Sequence, residues 1–116
     1  MDEPAALALI ARARDETARL AASLARQRDG IVEASEFTSN DDEHDPEGVT
    51  IAFERAQVQA LLRQAQDDLV ALDRAAERVR AGTYETCERC GGPNAEERLA
   101  ALPATRICIA CANKVR

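Results

Sequence analysis

The chain carries Cys87-Glu88-Arg89-Cys90 and Cys108-Ile109-Ala110-Cys111, and these four cysteines are the only ones among its 116 residues. Seventeen residues separate the two C-x-x-C motifs. Each motif places two sulfurs on one tight turn, and two such turns supply the four soft ligands that Zn²⁺ prefers in tetrahedral geometry. The pattern therefore predicts one structural zinc ion with Cys87, Cys90, Cys108 and Cys111 as its ligands.

Paired cysteines also form disulfides, which a short exported chain would favour. The first residues, Met1-Asp2-Glu3-Pro4, lack the basic segment of a signal peptide, and no stretch is long and apolar enough to span a membrane. We therefore expect a cytoplasmic protein with no membrane partner, in a reducing compartment where C-x-x-C pairs more often bind metal. A redox dithiol pair and an Fe–S cluster remain alternatives, although Fe–S proteins tend to use other cysteine spacings.

The rest of the chain has the composition of long helices. It contains two Phe, one Tyr and no Trp, and its apolar residues are mostly Ala and Leu. A compact core of ordinary size is built from bulkier side chains, whereas Ala, Leu, Glu, Arg and Gln together favour helices and coiled coils. The composition predicts a fold dominated by α-helix.

Heptad spacing predicts that two long helices pack against each other. The seam of the second helix is Val58, Ala65, Leu72 and Val79, alternating with Leu62, Leu69 and Ala76. A weaker seam in the first helix is Ile10, Thr17, Leu24 and Ile31, alternating with Ala13, Leu20, Gln27 and Ala34. Two helices of roughly 30 residues, each about 45 Å long, bury these seams if the chain reverses between them.

The reversal is predicted between about residues 35 and 50, where turn-forming residues cluster. The second helix then begins either near Thr50 or at Pro46, and Gly82 ends it. The predicted architecture is an antiparallel coiled-coil hairpin over residues 1–82, with a small C4 zinc finger over residues 83–116 at its base.

The net charge of −6 comes from the predicted turn. Residues 33–50 contain no Lys or Arg and carry −7, whereas the rest of the chain sums to +1; the acids are Glu33, Glu36, Asp41, Asp42, Glu43, Asp45 and Glu47. Such a loop is either simply solvated or presented to a basic pocket on a partner, and the sequence leaves both interpretations open. A calcium loop is disfavoured because the EF-hand spacing is missing.

Three further features surround the cysteines. Gly82-Thr83-Tyr84 precedes the first motif, Gly91 follows it, and Arg98-Leu99-Ala100-Ala101-Leu102-Pro103 precedes the second. Together with the cysteine spacing, this segment resembles the C4 zinc finger of the DksA/TraR family of bacterial transcription regulators. The resemblance implies a coiled-coil hairpin with an acidic tip, joined to a zinc finger.

It also implies a monomeric regulator, not an enzyme, that binds RNA polymerase by inserting its coiled-coil tip through the secondary channel and so modulates initiation. The family tip motif is D-x-x-D-x-A, which Asp42 and Asp45 match, while Glu47 stands where the alanine belongs. The resemblance thus assigns partner binding to Asp42, Asp45 and Glu47. Since the sequence ends five residues after Cys111, we expect no second-messenger site built on a longer C-terminal helix.

Two other functions remain open, namely a zinc ribbon that binds nucleic acid and an adaptor for another protein. Residues 83–116 carry only +1 and one aromatic residue, Tyr84, so direct nucleic-acid binding is not expected. Zinc hydrolysis is disfavoured because four cysteines leave no open position for water. Arg98 is expected to brace the cysteine turns through their carbonyls rather than contact a partner, and the side chains expected to pack around the zinc are Tyr84, Leu99, Leu102, Ile107 and Ile109.

Overall fold

The computed structural model describes residues 1–36 and 46–114, with backbone alone for residues 32–36, 46 and 47. These parts contain four helices: α1 (Glu3–Glu36), α2 (Pro46–Ala81), α3 (Glu96–Ala101) and α4 (Ile109–Lys114). Within the described ranges there is no strand, only an isolated antiparallel bridge between Thr86 and Pro93. The predicted all-α fold, with two long helices and a small four-cysteine finger, is confirmed.

The starts of the long helices follow the sequence closely. Asp2 caps α1, because its Oδ1 accepts a hydrogen bond of 2.8 Å from the backbone N–H of Ala5. Helix α2 begins at Pro46, the earlier of the two predicted starts, where the fixed φ of proline suits the first helical position. The turn predicted between about residues 35 and 50 is narrower than expected, because residues 35–36 and 46–50 are helical. Residues 37–45 lie outside the described ranges.

Gly82 ends α2 as predicted. Its N–H donates to the Val79 carbonyl at 3.1 Å, and the N–H of Thr83 donates to the Arg78 carbonyl at 2.9 Å, which is the hydrogen-bond pair of a Schellman motif. Gly82 has φ +79°, a left-handed conformation that costs other residues roughly 1–2 kcal/mol. The glycine thereby turns the chain out of α2 and into the finger.

The chain forms two compact units, and the first comprises Met1–Glu16 and Asp68–Arg116. Its core combines both long helices with the finger and consists of Ala6, Ile10, Leu72, Ala75, Val79, Tyr84 and Leu99. On the surface of this unit, Arg14 Nε donates to Asp73 Oδ1 at 2.7 Å and thereby holds the pKa of Asp73 below its usual value. The domain boundary expected at residue 82 stays a prediction.

The second unit comprises Thr17–Asp67 and has a smaller core. Leu24 of α1 packs with Leu62 and Ala65 of α2, and the half-buried residues around them are Ala21, Ala25 and Val58. Small alanines at these positions let two helix backbones approach closely, so a few leucines suffice to fill the interface.

The α2 seam agrees with the burial pattern better than the α1 seam does. Leu62, Ala65, Leu72 and Val79 are buried. In α1, however, Leu20 is 54% exposed and Ala21 packs in the core instead. The seven-residue count misplaces Leu20 because an α-helix drifts by about 20° per heptad relative to a strict 3.5-residue repeat.

Ala75 is fully buried although the heptad count assigned the seam position to Ala76. The core of this unit includes Tyr84 and Leu99 from the finger, and these side chains widen the buried face of α2 beyond the two-helix seam. A sequence pattern that considers two helices alone cannot anticipate this third partner.

Replacing Leu72 with alanine should lower the free energy of unfolding by about 2–5 kcal/mol, because Leu72 is 4% exposed and its loss leaves a cavity. The matched control is Val70→Ala on the same helix, which should change stability by no more than about 0.5 kcal/mol since Val70 is 50% exposed. Urea unfolding followed by circular dichroism measures both. Equal destabilisation by the two variants would contradict the assigned core.

Candidate metal centre

The structure brings the four predicted cysteines together. Their Sγ atoms all lie within 4.8 Å of one another, and Cys90 Sγ lies 3.8 Å from Cys108 Sγ. A tetrahedral zinc site with Zn–S bonds of about 2.3 Å has its sulfurs about 3.8 Å apart. All four are free thiols, and the donor set fits one structural zinc ion, as predicted.

The first cysteine turn is built around Gly91. The N–H of Gly91 donates to the Cys87 carbonyl at 3.0 Å, and the N–H of Cys87 donates to the Gly92 carbonyl at 2.8 Å. Gly91 has φ +75°, so the chain reverses immediately after Cys90. This reversal points the N–H of Gly92 at Cys90 Sγ, 3.4 Å away, where it stabilises a thiolate.

The second cysteine turn uses the start of a helix. Cys108 immediately precedes α4, and its carbonyl accepts the first helical hydrogen bond from Ala112 at 2.9 Å. In that cap position, the backbone N–H of Cys111 hydrogen-bonds the Cys108 sulfur and lowers the pKa of Cys108. The sulfur takes the place that a serine or aspartate oxygen occupies in an ordinary helix cap.

Backbone hydrogen bonds and burial act in opposite directions within the cluster. The N–H groups of Cys90 and Cys108 lower the pKa of Cys87 to about 6, so this sulfur is largely ionised at neutral pH. Burial raises the pKa of Cys111 to about 12. A buried thiol of this kind loses its proton when a cation compensates the charge, which couples metal binding to proton release.

Three side chains hold the second turn by one backbone atom, the carbonyl oxygen of Ile107. Arg98 Nε donates to it at 3.1 Å, Thr105 Oγ1 at 3.2 Å and Asn94 Nδ2 at 3.4 Å. The expected bracing role of Arg98 is thus confirmed. Because Ile107 immediately precedes Cys108, fixing this carbonyl fixes the entry of the chain into the metal centre.

Sequence reasoning missed Asn94 and Thr105. Asn94 is only 3% exposed, and its N–H also donates to the Glu85 carbonyl at 2.7 Å, so both its backbone and its side chain hold the finger together. Polar residues before and after a short helix are common in surface loops, and nothing in their spacing indicates a shared acceptor.

Arg78 was also missed, and it connects α2 to the finger within the first unit. Its guanidinium donates to the carbonyls of Thr105 and Tyr84, both at 3.3 Å, and lies 5.8 Å from the centre of the Tyr84 ring. Its Nε lies 3.4 Å from a carboxylate oxygen of Glu88 in the first cysteine turn. In the sequence, Arg78 resembles any basic residue in the last turn of a helix, Arg80 included.

Of the five apolar side chains predicted to pack around the zinc, Leu99 and Tyr84 are buried in the core. Leu99 is 0% exposed, and Tyr84 is 4% exposed with its hydroxyl donating to the Pro103 carbonyl at 2.8 Å. Burial raises the pKa of Tyr84, which keeps this hydroxyl a donor. Ile107 is half-buried.

The prediction was wrong for Leu102 and Ile109, which are 51% and 63% exposed. Leu102 is the C-cap of α3 with φ −130°, so it has left the helical face that carries Leu99 into the core. Ile109 lies between Cys108 and Cys111, and the turn that directs both sulfurs inward directs the intervening side chain outward.

The predicted partner-binding residues are not tested by this geometry. Asp42 and Asp45 lie outside the described residues, and Glu47 is described only as backbone in the first turn of α2. Their role stays a prediction.

Comparison with known proteins agrees with the site. Residues 82–116 match the family model of the prokaryotic dksA/traR C4-type zinc finger. A stretch of 44 residues is 50% identical to an uncharacterized protein of Aquifex aeolicus (strain VF5), covering 38% of this chain and 30% of that protein. The chain thus matches less than a third of that relative's length.

The fold is similar to that of the transcription factor DksA2 from Pseudomonas aeruginosa. The TM-score is 0.77 with 21% sequence identity, over 97% of this chain and 81% of the other. The resemblance drawn from the cysteine segment is confirmed: the finger is of the dksA/traR type, and the fold is that of a DksA transcription factor. None of the helices in residues 1–36 and 46–114 is long and apolar enough to cross a bilayer.

Removing zinc from the whole chain with a chelator should unfold the finger, because metal binding supplies much of its folding free energy. Hydrogen exchange should accelerate at Cys87 and Leu99, and also at Ala6 and Ile10, which share the core with Leu99. Leu24 in the second unit should keep its protection. Amide exchange followed by NMR measures this, with zinc re-addition as the control, and unchanged protection in the finger would contradict it.

Replacing Arg98 with glutamine should accelerate zinc loss about 10-fold or more, because the Ile107 carbonyl loses its shortest side-chain donor. Arg89→Gln is the matched control, since Arg89 is an exposed arginine between the two cysteines of the first turn. Zinc transfer to a coloured chelator gives both rates. If both variants release zinc as slowly as the original chain, Arg98 does not position the metal centre.

Proposed function

We propose that this protein is a zinc-containing transcription regulator that binds RNA polymerase through its secondary channel, with the hairpin tip modulating initiation. The observation that carries the proposal is a dksA/traR-type finger on a chain that shares its fold, over 97% of its length, with a DksA transcription factor. In this proposal the protein acts as a cytoplasmic monomer, with residues 1–82 as the hairpin and residues 83–116 as the finger.

The zinc has a structural role in this proposal. Cys87, Cys90, Cys108 and Cys111 each supply one thiolate, which fills the tetrahedral coordination sphere and leaves no position for a water molecule or substrate. In this proposal the zinc takes no part in catalysis, and the protein acts as a regulator and not as an enzyme. The metal stabilises the folded finger, by about 10 kcal/mol or more in sites of this kind at neutral pH.

The partner-binding tip is assigned to Asp42, Asp45 and Glu47. Residues 33–47 carry seven acids without a compensating base, which gives this segment a local potential that favours a basic channel and speeds docking. Glu47 replaces the alanine of the family motif and adds charge at the tip. We therefore expect the docking mode to be retained while the effect on initiation differs from that of proteins with alanine at this place.

Two arginines of the finger, Arg98 and Arg106, have partners within it, which weakens the nucleic-acid alternative. Arg98 donates to Ile107 and Thr105, and Arg106 lies 3.7 Å from a carboxylate oxygen of Glu88. Cations already engaged within the finger are poor candidates for tracking a phosphate backbone. A protein adaptor that binds something other than polymerase would keep every feature described, and the binding experiment separates it.

Purified RNA polymerase should retain the chain in a pull-down. Neutralising the tip by Asp42→Asn, Asp45→Asn and Glu47→Gln together should weaken binding and abolish any change in initiation measured by in vitro transcription, because the attraction to the channel is lost. The matched control neutralises two exposed acids of the finger by Glu96→Gln and Glu97→Gln.

The control variant should bind as the original chain does. Absence of any polymerase association in the original chain would contradict the proposed function. Equal weakening by the tip and control variants would contradict the assignment of the tip.

A further inference from the structure

Helix α2 carries an exposed apolar stripe in the second unit. Val49 is 71% exposed and Phe53 is 72% exposed, and the exposed residues Ala56 and Ala60 continue the same face at spacings of four, three and four. We call Val49, Phe53, Ala56 and Ala60 the outer stripe.

The outer stripe is free of charge. Between residues 49 and 60 the charged residues are Glu54 and Arg55, which lie about 100° and 200° around the helix from Phe53. The uncharged Thr50 and Gln57 flank it instead. A solvated helix face normally carries Lys, Glu or Arg, so three turns without any of them indicate a face meant for contact.

The stripe has no role in the core of its unit. That core is formed on α2 by Leu62 and Ala65, and Leu62 lies about 180° around the helix from Phe53. Phe53 is one of only two phenylalanines in the chain, yet most of its surface faces solvent. Aromatic side chains, phenylalanine among them, are enriched at protein interfaces relative to the rest of the surface.

Charge identifies the partner that fits. Residues 33–47 hold seven acids and no Lys or Arg, and they immediately precede the stripe in the sequence, with Glu47 two positions before Val49. In a dimer formed through this face, each copy would contribute the same charge of −7 from residues 33–47. The repulsion between these like charges disfavours self-association. The complementary surface is an apolar recess rimmed by Lys and Arg.

We propose that the outer stripe is a protein-docking surface that inserts Phe53 into an apolar recess rimmed by basic residues on RNA polymerase. This inference rests on the proposed function and deepens it. The stripe provides affinity through buried apolar area, and the acidic segment that precedes it in the sequence provides orientation and the rate of encounter. Binding therefore depends on α2 as well as on the tip.

The first test removes the apolar surface without disturbing the helix. Val49→Gln with Phe53→Gln places a good helix former at both positions, so circular dichroism should show helicity no lower than that of the original chain. Affinity for purified RNA polymerase should fall about tenfold or more. The matched control is Val70→Gln, an exposed apolar residue on the same helix outside the stripe, which should change affinity less than twofold.

The second test determines whether the surface of the partner around the stripe is basic. Ala56→Arg and Ala56→Glu place side chains of similar length in the stripe, and a basic rim should penalise arginine more than glutamate. Arginine should therefore weaken binding by several-fold relative to glutamate. Equal effects, or a larger loss with glutamate, would overturn the basic recess.

The outcomes separate the two proposals. If the original chain binds polymerase and the Val49→Gln, Phe53→Gln variant binds equally well, the docking surface is wrong and the proposed function stands. If the original chain does not bind at all, both fail. Sedimentation equilibrium completes the test, because a dimer that this variant dissociates would show that a second copy occupies the stripe instead.

Discussion

The convergence of four sulfur atoms from two turns on one point is the constraint on which the finger depends. Residues 83–114 place only Tyr84 and Leu99 among their larger apolar side chains fully inside, which is too little to fold so short a segment. Metal–sulfur bonds take the place of a larger core. The left-handed Gly91, the cap position of Cys108 and the N–H groups directed at the sulfurs all serve this convergence.

The same constraint extends into the long helices. Leu99 and Tyr84 lie in one core with Ala6 and Leu72. Arg78 of α2 donates to the Tyr84 and Thr105 carbonyls, each of which precedes one of the two cysteine turns by three residues. The finger and the helix ends of the first unit therefore stabilise each other. Interactions of this kind make the metal centre part of the packing, although its ligands come from the last third of the sequence.

The sequence predicted features that depend on local spacing. Two C-x-x-C motifs indicated the zinc site, a glycine indicated the end of α2, and seven-residue repeats indicated the helix pair. It failed where a third element decides the outcome: Ala75 is buried because the finger covers it, and Leu102 is exposed because α3 ends there. Arg78 could not be distinguished from a surface arginine, since the acceptors of its hydrogen bonds are backbone carbonyls that carry no sequence signal.

The Ile107 carbonyl has a consequence for how the finger tolerates sequence change. Every amino acid supplies a carbonyl, so as an acceptor this position places no demand on its own side chain. The demand falls on Asn94, Arg98 and Thr105, whose side chains must present donors from three separate places in the chain. Selection on this junction should therefore act on these three donors, of which Asn94 and Arg98 lie 13 and 9 residues before Ile107. The residue that receives the hydrogen bonds remains comparatively free to vary among apolar types.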